Sequence, residues 1–516
     1  PWSPVCRSQN TSEGSAALPI GRTAMELYHV FYILVAATVH ATPRVKREDE
    51  EFECPSPSGI FANPRTCRKF YNCVSNFPYS SDCPSGLYFD DIKKHCTFKK
   101  EAQCGPIAST EAPSTTPDPN QSSKCNPRTC QLPTCFCSKD GTIIPKGLDP
   151  EETPQMVLLT FDDAVNFNNY DKYMRIFSED RKNPNGCPIR GTFFISHDYT
   201  NYQMVEELYA NGHEIAAHTI THKNGLENAD YNEWVDEMVG MRKILKIFAN
   251  VSDSDVIGIR APVLTPGRNP QYQMMEDFEF LYDSSMTVPP IRVPIWPYTL
   301  DHSIPHECKS GTCPTSTFPG LWELPLNSHY IQDFEGGHCN YLDQCVLHSH
   351  DPDDVFEWLK EDFERHYSNN RAPYIMPFHT NWFQMKTLEN GFLKFLDYAI
   401  NKRDVWFVTA TQALLWITDE KPYSTKDIAT YPGWDCKKRP EIAKACLPQA
   451  AESCELRHHI PGVGTDVRYM VTCADCPRQF PWIGDYRGLG GSTKDSYTPV
   501  KTSNPAEITE YDYDEN

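Results

Sequence analysis

Two things are missing from this chain, and each absence removes a class of partner. Basic residues are in the minority, 48 Lys and Arg against 69 Asp and Glu, for a net charge of -21 over 516 residues. Nucleic acids and anionic membranes both reward clustered cations, so neither is expected as a partner, and a neutral or cationic ligand fits better. The other absence is length of apolar run: Leu27 to Val39 stops well short of the roughly 20 residues that a membrane-spanning helix needs. Cysteine and proline, by contrast, are plentiful, at 21 and 43. A large enzyme kept in a reducing compartment does not carry that many thiols, so a secreted, disulfide-stapled protein is expected.

Met25 to Ala41 reads as a signal peptide, an apolar core ending at a small residue suited to cleavage, although Glu26 stands where a basic residue is usual. Residues 1–24 precede the first Met and are set aside as upstream, non-structural sequence together with Cys6. Residues 105–124 are rich in Pro, Ser and Thr without periodicity and form a linker. Asn120 and Asn250 begin N-glycosylation sequons, meaningful in a secreted chain. Residues 486–516 close the chain as an acidic tail expected to be disordered.

Between leader and linker lies a block, residues 52–104, with six cysteines and eight Phe or Tyr side chains after Cys54. So small a block cannot supply its own core, and three disulfides must substitute for one. Its spacing and the run Cys83-Pro-Ser-Gly-Leu-Tyr-Phe-Asp90 resemble the peritrophin-A chitin-binding domain. That resemblance implies the pairs Cys54 with Cys73, Cys67 with Cys104 and Cys83 with Cys96. Tyr71 and Phe89 are expected in the mini-core, whereas Phe77, Tyr79 and Tyr88 are expected to stack on sugar rings.

Residues 125–485 form one large domain with a disulfide-rich C-terminal extension. Cys125, Cys130, Cys135 and Cys137, and likewise Cys473 and Cys476, are read as disulfide partners rather than zinc ligands, because the chain is secreted. Apolar runs at 156–161, 192–196, 214–217, 256–259, 279–282, 321–326, 374–378 and 405–409 read as strands. Between several of them lie amphipathic helices, the clearest over 228–249 and another opened by Asp351 and Pro352. The alternation predicts an α/β fold, a distorted (β/α) barrel beside the small disulfide-rich β module.

Ionisable residues fall at the carboxyl ends of these strands: Asp162 and Asp163, His218, Arg260 and His379. An Asp pair after a strand also suits a helix cap, but in parallel barrels this rim is where active sites assemble. His218-Thr-Ile-Thr-His222 adds two imidazoles four residues apart, a spacing that suits metal chelation with one carboxylate of the pair.

Thr160-Phe-Asp-Asp163, His218-Thr-Ile-Thr-His222, Arg260-Ala-Pro262 and His379 together resemble the motifs of the polysaccharide deacetylases of carbohydrate esterase family 4. With the N-terminal block, the arrangement resembles the arthropod chitin deacetylases. The resemblance implies that Asp163, His218 and His222 hold a divalent metal, zinc being the expected ion. Asp162 would be the base that takes a proton from the attacking water, Arg260 would hold Asp162, and His379 would be the acid for the departing amine. Pro262 and Val263 would line the substrate site, with the Val263 N–H in the place of an oxyanion donor although the family usually has an aromatic there. Trp296 is chosen as the wall of the acetyl pocket with Tyr298 beside it, and Asp283 over Asp301 as the carboxylate that orients His379.

The function implied is a secreted, metal-dependent chitin deacetylase that yields chitosan and acetate. It would be a monomer whose partner is chitin, in cuticle, tracheal or peritrophic matrix. The alternative is a matrix protein that binds and organises chitin with little turnover.

Overall fold

A computed structural model of the chain describes residues 52, 54–63, 69–74, 77–83, 87–98, 102–103, 121–331, 337–437, 444–460 and 464–490. The leader, most of the linker, Asn120, the bridge expected between Cys67 and Cys104, and all of the tail beyond residue 490 lie outside these residues. Two compact units divide at Thr116 and Pro117.

In the first unit, Ser58–Ala62, Lys69–Val74 and Phe77–Asp82 form an antiparallel sheet, and Leu87–Asp90 pairs with His95–Phe98. Bridges join Cys54 to Cys73 and Cys83 to Cys96, as the resemblance implies. Tyr71 and Phe89 are buried, each in a stacked aromatic pair, with Phe52 and Phe70 respectively. Phe77 and Tyr79, two residues apart and so on one face of their strand, are 69% and 58% exposed. Tyr88 is half-buried.

The second unit is organised by one sheet. Its strands are β1 (Gln155–Asp162), β2 (Thr192–Ile195), β3 (Glu214–Ala217), β4 (Gly258–Ile259), β5 (Tyr282–Asp283), β6 (Tyr298–Thr299), β7 (Trp322–Glu323), β8 (Tyr374–Phe378) and β9 (Val405–Phe407). They run in the order β6-β7-β5-β4-β3-β2-β1-β8, with β9 also on β1, and all pairings are parallel except that of the short edge strand β6. The distorted barrel therefore takes the form of a curled half-barrel, since β6 and β8 do not pair with each other among the described residues. Side chains of β1 alternate between two cores: Val157, Leu159 and Phe161 pack under the helices, Met156 and Leu158 into the concave interior.

Several strands are shorter than their apolar runs. The run at 321–326 splits into Trp322–Glu323 and Leu326–Asn327 because Pro325 has no N–H for the ladder. In β4 and β5 only a glycine fits at Gly258, where a Cβ would lie 2.1 Å from the Tyr282 ring.

The helix expected over 228–249 begins at Tyr231, where Asp230 caps the N–H of Glu233, and it carries a π-helical turn at Val235–Val239 before ending at Ala249. Asp351 caps Pro352–Tyr367 with Pro at the first position, as read.

All cysteines from Cys125 onward are paired. Two of these bridges staple the hairpin β10 (Glu452–Ile460) and β11 (Gly464–Thr472), while Cys187 to Cys436 joins residues 249 apart in sequence. Closing so long a loop in the unfolded chain is what stabilises most in the chain-entropy account. Replacing both Cys187 and Cys436 by Ser is expected to cost about 2–4 kcal/mol, read as a lower guanidinium midpoint.

Candidate active site

The parity of β1 separates the two aspartates. Asp162 falls on the same face as Met156 and Leu158, so its carboxylate points into the concave interior and is buried. Asp163 lies just beyond the strand, donates its N–H to the Phe194 carbonyl at 3.1 Å, and has φ +79°. Left-handed backbone there aims its carboxylate at the rim instead. Thr219, His222 and Val263 also have positive φ, at 70°, 47° and 57°. For non-glycine residues such angles are uncommon, and they tend to gather where a site over-determines the chain.

Each oxygen of Asp162 has its own partner. Arg260 Nη1 donates to Oδ1 at 2.7 Å and the Tyr341 hydroxyl donates to Oδ2 at 2.5 Å. Arg260 is itself fully buried and otherwise satisfied, by Thr160 Oγ1 at 3.0 Å, the Ser284 carbonyl at 2.8 Å and Ser284 Oγ at 3.0 Å, and it stacks over the Phe194 ring. Burial alone would raise the pKa of Asp162. The charge of Arg260, with that of His379 and the Tyr341 bond, outweighs it, so the carboxyl is held below its usual value and stays ionised.

His218 and His222 converge on Asp163. Their Nε2 atoms lie 3.8 and 3.2 Å from Asp163 Oδ1. Burial lowers the His218 pKa to about 4, so the ring is neutral, and Nδ1 donates to the Arg260 carbonyl at 2.8 Å. The Nε2 lone pair then faces the carboxylate with no hydrogen-bond partner. A neutral imidazole nitrogen aimed at a carboxylate and a second imidazole fits a cation. Donors about 2.0–2.2 Å from a tetrahedral ion sit roughly 3.4 Å apart, close to the separations here. The Nδ1–carbonyl bond is the kind of outer contact that fixes a ligand histidine.

The turn between the two histidines is fixed from the π-helical segment. Glu237 accepts the N–H groups of Ile220 and Thr221, both at 2.9 Å, and bonds the Thr221 hydroxyl. A π-turn shifts the register of one helix face, a device common at functional sites.

At the end of β8, His379 Nδ1 meets Asp343 at 3.0 and 3.1 Å, and Asp343 Oδ1 also accepts the His379 N–H at 3.0 Å. Burial would lower the His379 pKa. The Asp343 bond and the charges of Asp162, Asp343 and Asp163 outweigh it and raise it to about 9. The Tyr341 ring lies 4.1 Å from that of His379. Tyr341 and Asp343 both sit inside the loop closed by Cys339 and Cys345. Neither was among the site residues expected from sequence; the one signal was a pair of cysteines bracketing an aromatic and a carboxylate.

Other expectations are corrected. Asp283 does not orient His379: it accepts from Tyr272 at 2.8 Å and from Ser285 at 2.5 Å, and Ser285 in turn accepts the Ala261 N–H at 2.7 Å. Asp301, the other choice, accepts the Gly320 N–H, as a loop cap does. Trp296 does not wall the pocket. It is buried, donates to the Asn370 carbonyl ahead of β8 and stacks on Trp416, at the end of the sheet opposite His379. Tyr298 is buried on the edge strand with its hydroxyl 2.8 Å from His306 Nε2. Pro262 is buried next to the site residue Arg260, and Val263 is 55% exposed.

A family profile for the chitin binding Peritrophin-A domain matches residues 54–104, and one for polysaccharide deacetylase matches residues 149–271. The second match holds Asp162, Asp163, His218, His222 and Arg260 but ends before Tyr341, Asp343 and His379. Chitin deacetylase 1 of Bombyx mori is 34% identical over 490 residues, covering 82% of this chain and 88% of that protein. Chitin deacetylase 8 of Bombyx mori is 35% identical over 390 residues, covering 73% and 95%. Peritrophin-1 of Anopheles gambiae is 36% identical over 95 residues, covering 18% of this chain and 58% of that protein.

Removing one partner of a buried ion pair leaves an uncompensated charge. Arg260→Met is therefore expected to cost about 3–5 kcal/mol in chemical denaturation, and adding Asp162→Asn to it should recover part of the loss.

Proposed function

The chain belongs to the polysaccharide deacetylases that carry a peritrophin-A type chitin-binding domain, hydrolases of amide bonds, and on that footing we propose that it deacetylates chitin outside the cell with the help of a divalent metal. Chitin, a polymer of N-acetylglucosamine, is the substrate that joins the two parts, since the small module supplies a chitin grip and the large one an amide hydrolase. The expected setting is a chitinous extracellular matrix.

The observation that carries the reading is the division between the two aspartates. Asp163 faces two imidazoles, and Asp162 is kept ionised by two donors without reaching that cluster. Asp163, His218 and His222 would hold the metal, zinc being favoured by one oxygen and two nitrogen donors. When bound, the ion supplies Lewis acidity that acidifies water and polarises the acetamide carbonyl.

The remaining work falls to the chain's own groups. Asp162 accepts the proton of the water that attacks the acetyl carbon, with Arg260 and Tyr341 fixing its position. The Val263 N–H is the donor assigned to the developing oxyanion, a role that needs only backbone, so a valine can stand where an aromatic is usual. His379 gives its proton to the nitrogen as the C–N bond breaks, releasing acetate and a free amine. The Asp343 carboxylate keeps His379 protonated and oriented. An intact set of this kind has no purpose in a purely chitin-organising protein.

Metal-loaded protein is expected to release acetate from chitin oligomers. A chelator or Asp162→Asn should remove all but about 1% of the rate or less. Absence of acetate from every chitin substrate would sink the reading. Because His379 acts as an acid, it works below its own pKa. Asp343→Asn takes away the group that raises that pKa toward 9, so the alkaline limb of kcat should move to lower pH and kcat should fall. A limb that stays in place in this variant would rule out the assignment of His379.

A further inference from the structure

The pairing between β1 and β8 stops where the chemistry begins. Its last matched residues are Phe161 and Phe378, each one position short of the group assigned as base or acid, Asp162 or His379. Beyond that point no matched pair joins the two strands among the described residues. Yet one proton has to be collected and another delivered around a single carbon, so the gap between these strand ends must be set by something. The loop that carries Tyr341 and Asp343 reaches both groups from a distant part of the chain. A direct tie between the two strand ends comes from the side chain of Asn169.

Asn169 stands directly before the helix Tyr170–Ile176, at the position where an asparagine ordinarily caps the first turn, but its side chain makes no cap bond. It is turned inward instead and is 2% exposed. Its Nδ2 donates to the Ala164 carbonyl at 2.7 Å and to Thr380 Oγ1 at 2.8 Å, while its Oδ1 accepts the Asn166 N–H at 2.8 Å. A carbonyl can only accept and a backbone N–H can only donate, so these partners fix which way the side-chain amide faces. Both of its N–H groups and its oxygen are used, and a helix cap is forgone for them.

The partners follow the site directly: Ala164 comes after Asp163, and Thr380 after His379. The Thr380 hydroxyl also bonds that of Tyr173, a buried ring packed edge-on against Phe161 of β1. One amide therefore reaches from the turn that carries Asp162 and Asp163 to the turn that carries His379, with aromatic packing behind it. We propose that Asn169 is a positioning residue for amide hydrolysis, which through Thr380 sets His379 at a fixed separation from Asp162. The inference rests on the deacetylase reading, with Asp162 as base and His379 as acid, and in this role Asn169 touches no reacting atom.

The test is steady-state acetate release from chitin oligomers by the full chain loaded with zinc. Thr380→Val, which removes one hydroxyl and little volume, and Asn169→Ala should each lower kcat by about tenfold to a hundredfold, as a misplaced catalytic group does, with KM changed by less than about twofold. Because the two changes break one shared bond, the double variant should lose no more than the larger of the single losses. Thr380→Ser, which keeps the hydroxyl, should recover most of kcat. Given an active wild type, a double variant whose losses multiply, a KM that rises as kcat falls, or a Thr380→Val that keeps the wild-type kcat would overturn the positioning role and leave the deacetylase reading standing. A wild type that releases no acetate would overturn both. Should Asn169→Ala not fold, the contrast between Thr380→Val and Thr380→Ser decides.

Discussion

The buried pair of Arg260 and Asp162 is the contact on which the rest of the second unit depends. Two charges without solvent are costly to bury, and the cost is offset only if every remaining donor and lone pair is satisfied. That requirement reaches outward in each direction. It calls for Thr160 on β1, for Ser284 just after β5, for the flat face of Phe194 on β2 and for a hydroxyl from Tyr341 in a distant loop. Through this one pair, segments spread from residue 160 to residue 341 share a single geometry.

The same requirement explains why Asp283 is buried in a place where it touches no catalytic group. Burial raises its pKa and that of Glu323 beside it on β7, so this carboxyl pair resists carrying two charges. Its oxygens are spent on Tyr272 and Ser285, and Ser285 holds the Ala261 N–H next to Arg260. Asp283 is thus a support for the backbone that presents Arg260. The sequence reading places this carboxylate in the site itself, whereas it acts one residue removed from Arg260, through Ser285 and Ala261.

What could be read from the sequence follows from how each residue is placed. Asp162, Asp163, His218, Arg260 and His379 each close an apolar run, so a strand reading puts them on one rim without any knowledge of the loops. The period of two along β1 even holds the distinction between the two aspartates, because parity assigns Asp162 to the interior. Tyr341, Asp343 and Trp296 lie in segments with no period. Their partners are chosen by a disulfide loop and by the far end of the half-barrel, and neither is expressed in local spacing. Glu237 escaped for a different reason: a regular helix over 228–249 gives no hint of the π-turn that carries its carboxylate to the histidine turn.

Disulfides stand in for regular structure wherever the chain leaves the sheet. The Cys339 to Cys345 bridge closes a loop of few residues, and that loop must deliver a hydroxyl to Asp162 and a carboxylate to His379 with little tolerance. A loop of that length left open would spend conformational entropy each time the two groups came into register. The Cys446 to Cys473 and Cys454 to Cys476 bridges do the same for a two-stranded hairpin, which is marginal in water by itself. Oxidising conditions are therefore a condition of the active geometry as well as of the fold. With the bridges reduced, the sheet would still carry Asp162, Asp163 and the histidines at its rim, but Tyr341 and Asp343 would no longer be held to them.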